Sequence, residues 1–212
     1  MSGKMEYLIP TAPSETEFTE KRSRFIGHVW PATTEEEARS CIEAMKKRYH
    51  DARHNCWCYR LKEGGVERYS DDGEPQGTAG QPMLNVFQRE EVTNVVCVST
   101  RYFGGILLGA GGLTRAYTRS AKDALDAAGI SVMRPWTVVE CPCPYPLFER
   151  LKLELAGLQG TEGEHEFGSD ILFRALLPQG AEEDFARRVG ELSAGGSAPK
   201  CVGTQWKAVP RG

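Results

Sequence analysis

The stretch TRYFGGILLGAGGLTRAYTRSAKDALDAA, residues 100–128, decides the fold of this chain. The residues that lead into it, Val92–Thr100 (VTNVVCVST), form a short, continuous, β-branched run without Pro or Gly, which predicts a buried strand. Gly104–Gly112 (GGILLGAGG) holds five glycines in nine residues and predicts a loop. From Leu113 the period changes. Leu113, Ala116, Tyr117, Ser120, Ala121, Ala124, Leu125 and Ala128 recur at the helical interval and predict an amphipathic helix to Ala128. Its apolar stripe is mostly small residues, so the helix can lie close to a sheet. Gly129 stands in the favoured position after a helix.

A strand, a glycine loop and a helix start together can bind an anion. The first N–H groups of a helix lack internal partners, and the helix dipole favours negative charge there. Gly104, Gly105, Gly109, Gly111 and Gly112 let a backbone approach closely. Arg115, Arg119 and Lys122 form a basic stripe leaving that end. The competing reading is that the glycines only permit a tight turn and the basic residues are a solvated face. Neither G-x-x-x-x-G-K-[ST] nor an ordered G-x-G-x-x-G is present, so neither nucleotide fingerprint is met.

The bulk properties narrow the choices. The 212 residues suffice for one large or two small domains. No apolar run approaches the ~18 residues of a membrane span, and the N-terminal residues lack a signal-peptide core, which predicts a cytoplasmic protein that makes no membrane contact. The seven cysteines lie mostly in apolar segments without C-x-x-C and read as free thiols. Net charge is −3, so nothing attracts nucleic acid globally. Residues 1–134 balance 18 basic against 18 acidic residues, whereas residues 135–212 hold 8 against 11. Any basic surface is therefore local, and sequence-specific DNA binding is not expected.

Working outward, Phe25–Trp30 predicts a strand stopped by Pro31. Thr33 and Thr34, with Glu36 and Glu37 three residues on, give a doubled capping-box signal for a helix to about Tyr49. Asp51–Lys62 predicts a strand, Glu63-Gly64-Gly65 a turn, and Val66–Ser70 the returning arm of a hairpin. Asp71–Gly80 reads as a loop and Gln81–Arg89 as a helix with Pro82 in its first turn. Beyond Gly129, residues 131–139 are strand-like but interrupted by Pro135. A proline-rich segment then leads to a helix at Leu147–Leu158, strands at Gly160–Phe167 and Ile171–Leu177, a helix at Ala181–Leu192 and a strand at Cys201–Val209. That β-α-β-β-α-β order is the ferredoxin-like signature. The expected division is a first domain of residues 1–131 and a second of residues 132–212, in an overall α+β protein.

Three groupings bear chemistry. His50, His54, Cys56 and Cys58 are residue types that zinc favours, but their spacing is wrong for the common sites, and the last three share one strand face. Core packing explains them, and no metal is assigned. Asp71, Asp72 and Glu74 place three carboxylates where they could hold Mg²⁺ through water or supply a base, although acidic glycine loops commonly cap themselves. No nucleophile elbow exists. His28 reads as structural, and His165 as part of an exposed acidic edge with Glu162, Glu164 and Glu166.

Several motifs together carry a resemblance. Ser23-Arg-Phe-Ile-Gly27, Asp51-Ala-Arg-His-Asn-Cys56, Ser70-Asp-Asp-Gly-Glu-Pro75 with Gly77-Thr-Ala-Gly80, Asn94-Val-Val-Cys-Val98, and Thr100-Arg-Tyr-Phe-Gly-Gly-Ile106 with Leu108-Gly-Ala-Gly-Gly-Leu113 run in one collinear series over about residues 15–130. The series resembles the IMPACT family, in its bacterial YigZ branch. The resemblance implies a first domain of the ribosomal-protein-S5 domain-2-like α/β sandwich type, similar to domain IV of elongation factor G. It also implies a second, ferredoxin-like domain similar to domain V of that factor. Eukaryotic members regulate translation by binding a ribosome-associated activator of a stress kinase.

The expected function is then a non-enzymatic regulator of translation that binds RNA, the ribosome or a ribosome-associated protein, with no cofactor. Candidate binding residues are Asp51, His54, Asn55, Asp71, Asp72, Glu74, Arg101, Tyr102, the five loop glycines, Arg115, Arg119 and Lys122. The alternative is an enzyme acting on a phosphorylated or nucleotide-like molecule through the glycine loop and the Asp71–Glu74 loop.

Overall fold

A computed structural model describes residues 6–211. The protein is α+β and divides into two compact units, one of residues 7–133 with 208–211 and one of residues 134–207 with Glu6.

The first unit is built on a five-stranded sheet. Its strands are β2 (Ser14–Glu20), β3 (Ser23–Pro31), β4 (His54–Arg60), β5 (Glu67–Ser70) and β6 (Val95–Tyr102), in the order β2-β3-β6-β4-β5. β3 and β4 both run antiparallel to β6. Helix α1 (Glu35–Arg48) connects them, so the pair is a split β-α-β unit around β6. Alternation along each strand feeds two cores. Phe25, Cys56, Cys58 and Cys97 pack beneath α2 (Gly80–Arg89) and α3 (Ala110–Ala128), whereas Ile26, Tyr59, Val96 and Val98 pack on α1. A short β1 (Tyr7–Pro10) pairs with the start of β7 (Ile130–Cys143).

The local signals explain the elements. The capping box operates: Thr34 Oγ accepts from the Glu37 N–H at 3.1 Å, and the Glu37 carboxylate accepts from the Thr33 N–H at 2.6 Å. α3 buries the eight residues of its expected stripe. Those small residues admit the sheet so closely that a Cβ on Gly27 of β3 would stand 2.6 Å from the Ser120 carbonyl oxygen.

Several boundaries differ from expectation. β2 had no strand signal beyond its alternation, SETEFTE; it is an edge strand joined to β3 by a two-residue turn in which Lys21 and Arg22 have φ of 44° and 65°. α3 begins at Ala110, so Gly111 and Gly112 form its first helical turn and the loop ends at Gly109. The cause is tertiary: burial of α3 overrides the weak helix propensity of glycine.

In the second unit, β7 continues into α4 (Phe148–Gly157), β8 (Thr161–Glu162), β9 (Glu166–Phe167), β10 (Ile171–Pro178), α5 (Glu182–Leu192) and β11 (Lys200–Pro210). The order is β11-β7-β10-β8, with β9 also on β10, which is the ferredoxin-like arrangement. Pro135 does not interrupt β7, since it falls between the register with β1 and the register with β10. The expected strand at Gly160–Phe167 is instead two short pieces. His165 is not exposed on an acidic edge: its ring stacks on Phe173 at 4.8 Å, and its Nε2 lies 3.1 Å from Glu162.

Candidate functional site

The end of β6, the loop after it and the start of α3 enclose a cleft of about 310 Å³ in the first unit. Its lining includes Arg53, His54, Glu74, Arg101, Phe103, Leu107 and Gly109. His54, Glu74 and Arg101 lie deep, whereas Arg53, Phe103 and Leu107 stand at the rim. Arg101 and Glu74 are buried, whereas Leu107 is 81% exposed.

Glu74 is the hub. Its Oε1 accepts from Arg101 Nη1 at 2.7 Å and from the Tyr117 hydroxyl at 2.8 Å, and His54 Nε2 lies 3.8 Å away. Its Oε2 has no hydrogen-bond partner among the described residues. Arg101 Nη2 donates to Ser23 Oγ at 3.2 Å, while Arg101 Nε is buried without a partner. An unpaired buried donor of this kind is costly unless something answers it. Burial, followed by the thiol of Cys56 and the carboxylate of Glu74, pushes the Tyr117 hydroxyl far above the ordinary tyrosine range, so it remains a donor. Burial likewise keeps Cys56 protonated. His54 Nδ1 lies 2.8 Å from the Asp72 carbonyl oxygen. A carbonyl only accepts, so Nδ1 carries the proton, and in the neutral ring Nε2 presents a lone pair.

The acidic loop does not act as one cluster. Asp71 turns away from the cleft: its Oδ1 accepts from the N–H groups of Ala79 and Gly80, and its Oδ2 from that of Gly77. It thereby caps α2, whose own N-cap residue, Ala79, has no side chain able to do so. Asp72 holds the Asn55 N–H at 2.7 Å. Glu74 alone of the three lines the cleft. Asn55 is committed to Thr100 and the Tyr49 carbonyl. Asp51 takes the Tyr102 hydroxyl at 2.7 Å, a bond that holds its carboxyl below its usual range. No group of three or more His, Cys, Asp or Glu among the described residues is placed to hold a metal ion.

The glycines divide by role. Gly109, the residue before α3, has φ of 71° and supplies no side-chain cap, which leaves the helix end bare at the cleft wall. Gly105 has φ of 85°. Gly104 lets the Arg22 backbone pass so closely that a Cβ would lie 2.0 Å from it.

The expected basic stripe is largely neutralised. Arg119 pairs with Asp123 and lies over Phe18, and Lys122 is shared by Asp126 and Glu90. Arg115 makes no ion pair among the described residues. With Lys21, Leu108 and Phe18 it lines a second groove of about 240 Å³. Sequence reasoning missed Arg53, Phe103, Leu107 and the polar role of Tyr117. Tyr117 stood on the buried stripe, where nothing local distinguishes a core tyrosine from a hydrogen-bond donor.

Residues 21–125 match the Impact N-terminal domain, and residues 141–195 match a domain of unknown function, DUF1949. IMPACT family member YvyE of Bacillus subtilis is 34% identical over 192 residues, covering 90% of this chain and 88% of the relative. The chain belongs to the IMPACT family. IMPACT family member YigZ of Escherichia coli is 32% identical over 192 residues, covering 89% of this chain and 94% of its own. A solved structure described as that of a hypothetical protein superposes with a TM-score of 0.59 at 30% identity, covering 93% of this chain and 98% of that one. The IMPACT domain match spans every residue of the cleft, from Ser23 to Tyr117. No helix among the described residues is long and apolar enough to cross a membrane.

Proposed function

We propose that this IMPACT family chain is a non-enzymatic, cytoplasmic regulator of translation, whose first unit binds single-stranded RNA of the translation apparatus through the cleft. The observation that carries this reading is Arg101. Its guanidinium lines a cleft bounded by the bare N-terminus of α3. A phosphate satisfies both the helix end and a guanidinium. Arg53 at the cleft and Lys21, Arg22 and Arg115 around it are exposed and make no ion pair among the described residues, leaving a local positive rim on a chain of net charge −3.

The test is fluorescence anisotropy with short single-stranded RNA, alongside co-sedimentation with ribosomes. Three phosphate contacts give a loss of about twentyfold in affinity between roughly 50 and 200 mM salt. Arg53→Ala and Arg115→Ala reduce both the affinity and the salt slope. Absence of binding to RNA and ribosomes at low salt overturns the reading.

A second reading, an enzyme for a phosphorylated small molecule, is favoured by His54, whose Nε2 lies beside Glu74 and is an acceptor in the neutral ring. A thermal-shift screen of nucleotides and sugar phosphates separates the two. A ligand at 100 times Kd adds about 2.7 kcal/mol of stability, and no shift with any of them removes this reading.

A further inference from the structure

We infer that the cleft selects guanine among the bases of a single strand, an inference that rests on the RNA-binding reading. The groups open to a ligand at its floor have a definite pattern. In the neutral ring His54 Nε2 presents a lone pair, since Nδ1 carries the proton given to the Asp72 carbonyl. Glu74 Oε2 is a second acceptor, because the bonds from Arg101 and Tyr117 both fall on Oε1. The guanidinium of Arg101, a donor, is on the same lining. Two acceptors beside a donor complement an edge that carries two N–H donors beside a carbonyl.

Among the four RNA bases only guanine has that edge: the N2 amino group, N1–H and O6. Adenine and cytosine put an acceptor at the middle position, and uracil flanks a single N–H with two carbonyls. This edge is free only in unpaired RNA, where a protein can splay a base out and stack it on an aromatic ring or a guanidinium. Phe103 supplies that ring, with Arg53 5.8 Å and Arg101 5.5 Å from its centroid. A cation offering the same two donors, such as a guanidinium, is disfavoured by these two arginines. The volume of about 310 Å³ stands at the small end of ligand sites and suits one nucleoside.

The experiment compares five-nucleotide uridine RNAs that carry G, A, C or inosine at the centre, binding the full-length wild-type chain at low salt. The expected result is tighter binding of the G strand by about five- to 150-fold, with inosine, which lacks only the N2 amino group, falling towards the others. Glu74→Gln is expected to abolish the preference for G over inosine. Equal affinity for all four strands overturns the guanine assignment and leaves the RNA reading standing. Binding of none of them overturns both. The inosine comparison changes the ligand alone, so it decides the matter even where the Glu74 variant fails to fold.

Discussion

Arg101 and Glu74 form an ion pair of 2.7 Å with side chains only 6% and 3% exposed. One comes from the end of β6 and the other from the loop before α2, so the pair ties two elements together at the cleft floor. A buried pair is weak evidence for net stability, but removing one member strands the other's charge. Arg101→Met is expected to lower unfolding free energy by about 3–5 kcal/mol. The double variant Arg101→Met, Glu74→Gln should lose clearly less than the two single losses added together. Urea titration of all four proteins reads the coupling; strictly additive losses refute it.

Gly27 and Ser120 set the spacing of α3 on the sheet. A methyl group on Gly27 meets backbone, the Ser120 carbonyl oxygen at 2.6 Å, so a rotamer change cannot relieve it. Gly27→Ala should destabilise by about 1–3 kcal/mol. Because α3 also forms the cleft wall, RNA affinity should fall with it. A wild-type melting temperature would show that the helix has more room than these distances allow.

Asp71 caps α2 from eight and nine residues upstream, through the N–H groups of Ala79 and Gly80. Asp71→Ala leaves three N–H groups without their acceptor and should cost about 1–3 kcal/mol. Asp71→Asn keeps one oxygen for those two N–H groups and should cost less. Chemical denaturation orders the three proteins, and an alanine variant as stable as the asparagine variant contradicts the capping role.

His28 supplies a pH dependence. It is buried on β3 between Trp30 and Tyr49, with Nε2 3.0 Å from Glu15, and Nδ1 is buried without a partner. Burial pushes its pKa below the ordinary 6.5, against the opposing pull of Glu15, and Arg48 lowers it further. Well above the ordinary pKa of 6.5 the ring is neutral in both states and contributes no pH dependence. As pH falls below that value the unfolded chain binds the proton first, and the folded state loses stability until the lower folded pKa is reached. His28→Gln should flatten unfolding free energy across that window, measured by denaturation at several pH values. An unchanged slope would place the dependence elsewhere.

The repeating elements were legible because they rest on local periodicity. The stripe from Leu113 to Ala128, the capping box at Thr34 and the β-α-β-β-α-β order of the second unit each follow from side-chain spacing along one segment. Where a boundary moved, a non-local force moved it. Gly111 and Gly112 joined α3 because its packing pulls the first turn into the helix, and β2 formed because β3 offered it an edge.

The site was legible only as a set of residues. Composition and order placed His54, Glu74, Arg101 and Gly109 among the candidates, and also Asp71, Asp72, Arg119 and Lys122, with nothing to separate them. Tertiary structure made the division. Chain reversals carry His54, Glu74 and Arg101, separated by up to 47 positions in sequence, to one cleft floor. The same reversals spend Asp71 on a helix end and the basic stripe on neighbouring carboxylates. Periodicity is a property of one segment and can be read along it. Which carboxylate meets which guanidinium depends on contacts between segments, and only the folded chain brings those together.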